Sequence, residues 1–153
     1  MPCIRSISEF KKYIGKNVYI VNSGELFIAS TTKKEINDEL KNLRRDEMDT
    51  VIFSIDDPNT VMYGIVLNPK ELPYKIPNEF KEMSLYLLNE GFAGNAIDCT
   101  PYSDLEEITE EIENMINDDF DIEDFAVILG KPINISLQIT ESTTPVDERK
   151  IYV

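Results

Sequence analysis

The chain has no histidine and no tryptophan, and only two of its 153 residues are cysteine. The missing histidine excludes Ser-His and Cys-His nucleophile pairs and every histidine-ligated metal site. Any general acid or base would have to be a carboxylate, lysine, tyrosine or cysteine. Cys3 and Cys99 provide neither metal-ligand spacing nor a disulfide framework. Cys99 reads as a small core residue, and Cys3 lies in a terminus expected to be mobile. No apolar run approaches the roughly 18 residues of a membrane span. Met1-Pro2-Cys3-Ile4-Arg5 lacks the apolar core of a signal peptide, so the expected location is the cytoplasm.

A more pointed absence lies in the interior. Between Glu82 and Gly130 there is no lysine or arginine, while 14 acidic residues fall in the same stretch. The remaining residues hold 15 acids and all 15 bases. The net charge of −14 therefore belongs to one third of the chain. Self-repulsion on that scale lowers stability and no fold requires it, so the segregation describes an electrostatic face. An acidic balance with sequence pI near 4.3 argues against direct binding to nucleic acid or anionic membrane, which needs clustered cations.

What is present is ordinary for a folded domain. Apolar residues make up 42% of the chain and recur at regular periods, enough for a core without disulfide or structural metal. Residues 1–153 are expected to form one acidic domain with a flexible polar segment over 141–150. Ser6 to Ile14 reads as a short helix stopped by Gly15. Val18 to Val21 and Leu26 to Ala29 read as a hairpin across Asn22-Ser23-Gly24-Glu25. Thr32-Lys33-Lys34-Glu35 is a capping box opening a helix to about Glu47, with Ile36, Leu40 and Leu43 on its apolar stripe. Thr50 to Ile55 and Val61 to Leu67 suggest a second hairpin, followed by a proline-rich loop from Asn68 to Pro77.

Asn78 to Asn89 carries a helical period through Phe80, Met83, Leu87 and Leu88. Ala96 to Cys99 is compatible with a short strand. Ser103-Asp104-Leu105-Glu106 is a second capping box, whose helix runs to about Asn117 on Leu105, Ile108, Ile112, Met115 and Ile116. Phe125 to Leu129 and Ile133 to Thr140 suggest two last strands joined across Gly130-Lys131-Pro132, with Ile151-Tyr152-Val153 as a possible edge strand. The fold class is therefore α+β: a mainly antiparallel sheet built from hairpins, with helices packed on one face.

The acidic helix is the candidate site. Glu106 and Glu110 are i,i+4 neighbours, as are Glu107 and Glu111, and Glu113 follows Glu110 by three. Each like-charge pair costs about 0.2–0.5 kcal/mol. Asp118, Asp119 and Asp121 follow at the helix C-terminus, where the dipole disfavours anions. These eight residues are the expected partner-binding set. If helical throughout, 104–124 would carry one charge per roughly 3 Å, against about 3.4 Å per phosphate along a DNA strand.

Other constellations are weaker. Asp119 to Gly130 departs from a calcium loop, with Asp124 where glycine is needed and Gly130 where glutamate is needed. Gly91-Phe92-Ala93-Gly94 lacks the Lys-Ser/Thr of a phosphate loop. Asp56, Asp57 and Asp98 at strand ends suit a divalent-metal phosphoester hydrolase, though Asp56-Asp57-Pro58-Asn59 is equally a turn. Tyr13, Tyr19, Tyr63 and Tyr86 fall on expected elements and read as core.

The resulting expectation is a non-catalytic inhibitor, with no cofactor, no metal and no catalytic residue. Its partner would be a basic protein surface that binds nucleic acid. A phage anti-defence nucleic-acid mimic and a toxin immunity protein both fit. The alternatives are the metal-dependent hydrolase and a self-associating adaptor subunit.

Overall fold

The computed structural model describes residues 3–4, 6–22, 27–45, 60–90, 97–134 and 145–152. Seven strands form one sheet: β1 (Cys3–Ile4), β2 (Asn17–Asn22), β3 (Phe27–Ser30), β4 (Thr60–Leu67), β5 (Ser84–Glu90), β6 (Ile97–Tyr102) and β7 (Phe125–Asn134). Their spatial order is β1-β3-β2-β4-β7-β5-β6, and every paired neighbour is antiparallel. The helices are α1 (Ile7–Phe10), α2 (Lys33–Arg45), α3 (Leu105–Asn117) and α4 (Glu148–Ile151). The α+β class with an antiparallel sheet is therefore established.

Period-two alternation divides the core between the two faces. Odd residues of β4 and β7, such as Ile65, Leu67, Val127 and Leu129, face α3 and α4 together with Ile108, Ile112 and Ile151. Tyr19, Val21, Val61, Tyr63 and Ile133 continue that face toward Ile36 of α2. Met62, Val66, Ala126 and Ile128 point the other way and meet Ile7 and Phe10 of α1. The two long helices thus share one face, α2 over β2 and β3 and α3 over β5. The short α1 covers the opposite face, so the sheet is apolar on both sides.

Several local readings hold. Ser6 caps α1 by accepting from Glu9 N at 3.2 Å, and Gly15 ends the segment with a φ of +84°. Thr32 Oγ1 accepts from Glu35 N at 3.3 Å, the first half of the expected capping box, while the return half runs through Ser30, whose hydroxyl accepts from Thr32 N and donates to the Glu35 carboxylate. β2 and β3 are paired as expected, while their turn lies outside the described residues.

Others are corrected. The segment from Asn78 is a single 3-10 turn, Asn78–Phe80, followed by β5. The run Leu85-Tyr86-Leu87-Leu88 has its odd members against α3 and its even members against the α1 face, so continuous apolarity here marks a strand buried on both sides. Gly130-Lys131-Pro132 is no turn but the middle of β7. β5 pairs with β7 only as far as Gly130, so beyond it a residue without an N–H is tolerated. Part of the expected flexible segment is docked: Asn17 exchanges two 2.9 Å hydrogen bonds with the Val146 backbone, and Val146 and Ile151 are buried. Ile151 ends α4 instead of an edge strand. The strand expected over 50–55 lies outside the described residues.

Candidate functional site

α3 lies over β5 and β6, at the opposite end of the sheet from α2. Its N-terminus is fixed one residue later than the spacing predicts. Asp104, not Ser103, is the cap: its Oδ1 accepts from Glu107 N at 2.8 Å. The Glu107 carboxylate reaches back to Ser103, accepting from its backbone N–H at 3.3 Å and from its hydroxyl. Ile108 and Ile112 anchor the buried stripe.

This places the eight acids on one helix and the turn after it. Seven are exposed, and Glu111 is half-buried. Glu106, Glu110 and Glu113 form one row, beside the loop from Pro69 to Tyr74. Glu107 and Glu111 form a second row toward β6, where burial, then Glu111, then Glu107 push the Tyr102 phenol upward. Six acids from Asp104 to Glu113 lie on a helix about 20 Å long, so the charge spacing stays near 3 Å although the helix is shorter than the acidic run.

The helix ends in a Schellman motif. Phe120 N donates to Met115 O at 3.0 Å and Asp119 N to Ile116 O at 3.1 Å. Asp119 occupies the left-handed position with φ of 71°, where glycine is the usual occupant. Asp119→Gly relieves that strain and removes an anion from the negative end of the helix. The expected gain is about 1 kcal/mol, read from chemical denaturation. Asp119→Asn should recover the charge part alone. A loss of stability in Asp119→Gly would show that the aspartate makes a compensating contact.

Sequence segregation overstates the isolation of the acids in space. Glu123, outside the expected set, bridges Lys11 at 3.0 Å and Lys70, tying the turn after α1 to the loop after β4. Lys70 first and Lys11 second hold its carboxyl below the usual range. A depressed folded-state value contributes stability above the unfolded value and loses it as pH falls. The melting-temperature gap between wild type and Glu123→Gln should therefore be open at neutral pH and narrow as pH falls below the ordinary glutamate range and through the depressed value. A gap unchanged by acid would remove this bridge from the stability of the fold.

Asp121 also has a local task, since its Oδ1 accepts from Glu123 N at 3.0 Å and starts the turn Ile122–Asp124. Cys99 is a half-buried free thiol whose burial pushes its ionisation upward, which makes it a poor nucleophile. Asp56 and Asp57 lie outside the described residues, as does the Asp98 side chain. Among the described residues no three His, Cys, Asp or Glu converge as a metal site. No described helix is long and apolar enough to cross a membrane.

Two open grooves flank the N-terminal half of α3, a feature the sequence reading did not contain. The first, of about 450 Å³, runs over Ile76, Met83, Leu85, Leu105 and Leu129, with Lys75 and Lys81 on one rim and Asp104 and Glu106 on the other. The second, of about 830 Å³, lies between Pro69, Leu72 and Pro73 and the row Glu106, Glu110 and Glu113. Tyr74 lines both and is 98% exposed. Ile116 and Phe120, each 41% exposed, add apolar surface at the far end of the helix.

Comparison of the chain with protein-family models, curated proteins and solved structures finds no match.

The arrangement is a charged surface with apolar points beside it.

Proposed function

We propose that this protein is a non-catalytic antagonist whose α3 flank docks onto a basic, nucleic-acid-binding surface of another protein. The observation that carries the reading is the row Glu106, Glu110 and Glu113, none of which has an ion-pair partner among the described residues. Charges kept close at a cost in repulsion, and left unneutralised among the described residues, favour a cationic partner. Averaged along the axis over the six acids from Asp104 to Glu113, the spacing near 3 Å is similar to that of phosphates along a nucleic-acid strand. Asp118 and Asp119 support the same reading, because they sit where the helix dipole disfavours them. An anti-defence nucleic-acid mimic and an immunity protein for a basic nuclease are the two settings that such a surface serves.

The test is a quantitative pull-down from cell lysate with wild type and with Glu106, Glu110 and Glu113 changed to Lys. The reading expects a basic nucleic-acid-binding protein retained by wild type alone and released by moderate salt. Identical retention by both versions would assign the acids to solvation.

A further inference from the structure

The acidic row cannot by itself supply affinity, because surface charges chiefly set association rate and specificity. Apolar anchors do that, and the surface beside α3 has room for one next to Tyr74. Tyr74 is 98% exposed and lines both grooves. The two grooves that meet at Tyr74 differ in charge. The first is balanced, with Lys75 and Lys81 set against Asp104 and Glu106, so it offers a cation no net attraction, and Ile76, Met83, Leu85, Leu105 and Leu129 give it apolar surface. The second has Glu106, Glu110 and Glu113 on one wall, and its one lysine, Lys70, is already held by Glu123. One groove accepts an apolar side chain and the other accepts cations.

From this division we infer that the occupant is a cationic amphipathic protein segment: one large apolar residue in the first groove, with lysines or arginines beside it along the glutamate row. The inference rests on the docking role proposed above and adds the chemistry of the partner's contact segment. Glutamates one helical turn apart match basic residues at the same spacing on a facing helix. Tyr74 then covers the junction, stacking on the anchor or on an arginine. Nucleic acid is disfavoured here by the sign of the charge.

The test uses two synthetic peptides of lysine and leucine that differ only in a central tryptophan or alanine. Binding is followed by fluorescence anisotropy and by backbone amide shifts of the intact protein. The tryptophan peptide should bind roughly tenfold tighter, with shifts concentrated on 72–76 and 103–110. In Tyr74→Ala, which leaves the core untouched, that preference should shrink toward unity. Glu110→Lys should weaken both peptides alike.

Equal affinity of the two peptides, still lost in Glu110→Lys, would overturn the groove assignment and leave the acidic docking surface standing. If neither peptide binds and Glu110→Lys changes nothing, both readings fall.

Discussion

Gly64→Ala should lower the melting temperature by roughly 6–12 °C, the largest effect expected of a methyl group added at a described glycine without positive φ. Gly64 of β4 faces Gly130 of β7 at the centre of the sheet. A Cβ built at Gly64 would stand 2.3 Å from Leu129 O and 2.5 Å from Gly130 Cα. Those atoms are backbone, and they are held by pairing on both sides of β7. Relief therefore requires the two central strands to move apart. Overpacking of this kind typically costs about 1–3 kcal/mol, and the upper end applies where no flexible side chain can give way. Gly130→Ala should cost less, because its backbone contacts are longer, Tyr63 O at 2.6 Å and Gly64 Cα at 2.9 Å, and its third neighbour is the flexible Met62 sulfur at 3.0 Å. A melting temperature within about 2 °C of wild type for Gly64→Ala would mean that the strands are not this close in solution.

The second large effect is kinetic. Changing Glu106, Glu110 and Glu113 to Lys moves the net charge from −14 to −8, since each replacement adds two. Association with the retained partner should slow on the order of 100-fold at low salt, with a smaller change in dissociation. The difference should fade as the Debye length drops to about 3 Å near 1 M salt. A like change of net charge on α2, at the other end of the sheet, should leave most of the rate intact. Equal slowing by both variants would make the effect one of total charge instead of a docking face.

The two glycines and the glutamate row differ in how far the sequence announced them. All eight expected contact acids do fall on α3 and its C-terminal turn, because the period of Ile108 and Ile112 and the cap at its start are local signals. The first hairpin and the first capping box are local in the same way. What failed was decided by distant neighbours. Leu85 to Leu88 carries apolar residues that fit a helical period, and only its place between β6 and β7 makes it a strand. Pro132 is a turn former by composition, tolerated inside β7 because β5 stops short of it.

The site shows the same limit. Lys11 and Lys70 lie far from Glu123 in sequence, so the bridge that neutralises one acid could not be read from a charge run. The grooves depend on the proline-rich loop coming to rest beside α3. One signal was available: Tyr74, between Pro73 and Lys75, is an aromatic residue on no expected element.

The most direct measurement is competition on whichever basic protein wild type captures in the pull-down proposed above. Its complex with a labelled nucleic acid is titrated with wild type and with the variant carrying lysine at 106, 110 and 113. The account predicts stoichiometric displacement by wild type and little by the variant, with no change in the nucleic acid itself. A ternary complex, in which the partner holds this chain and its nucleic acid together, would contradict it.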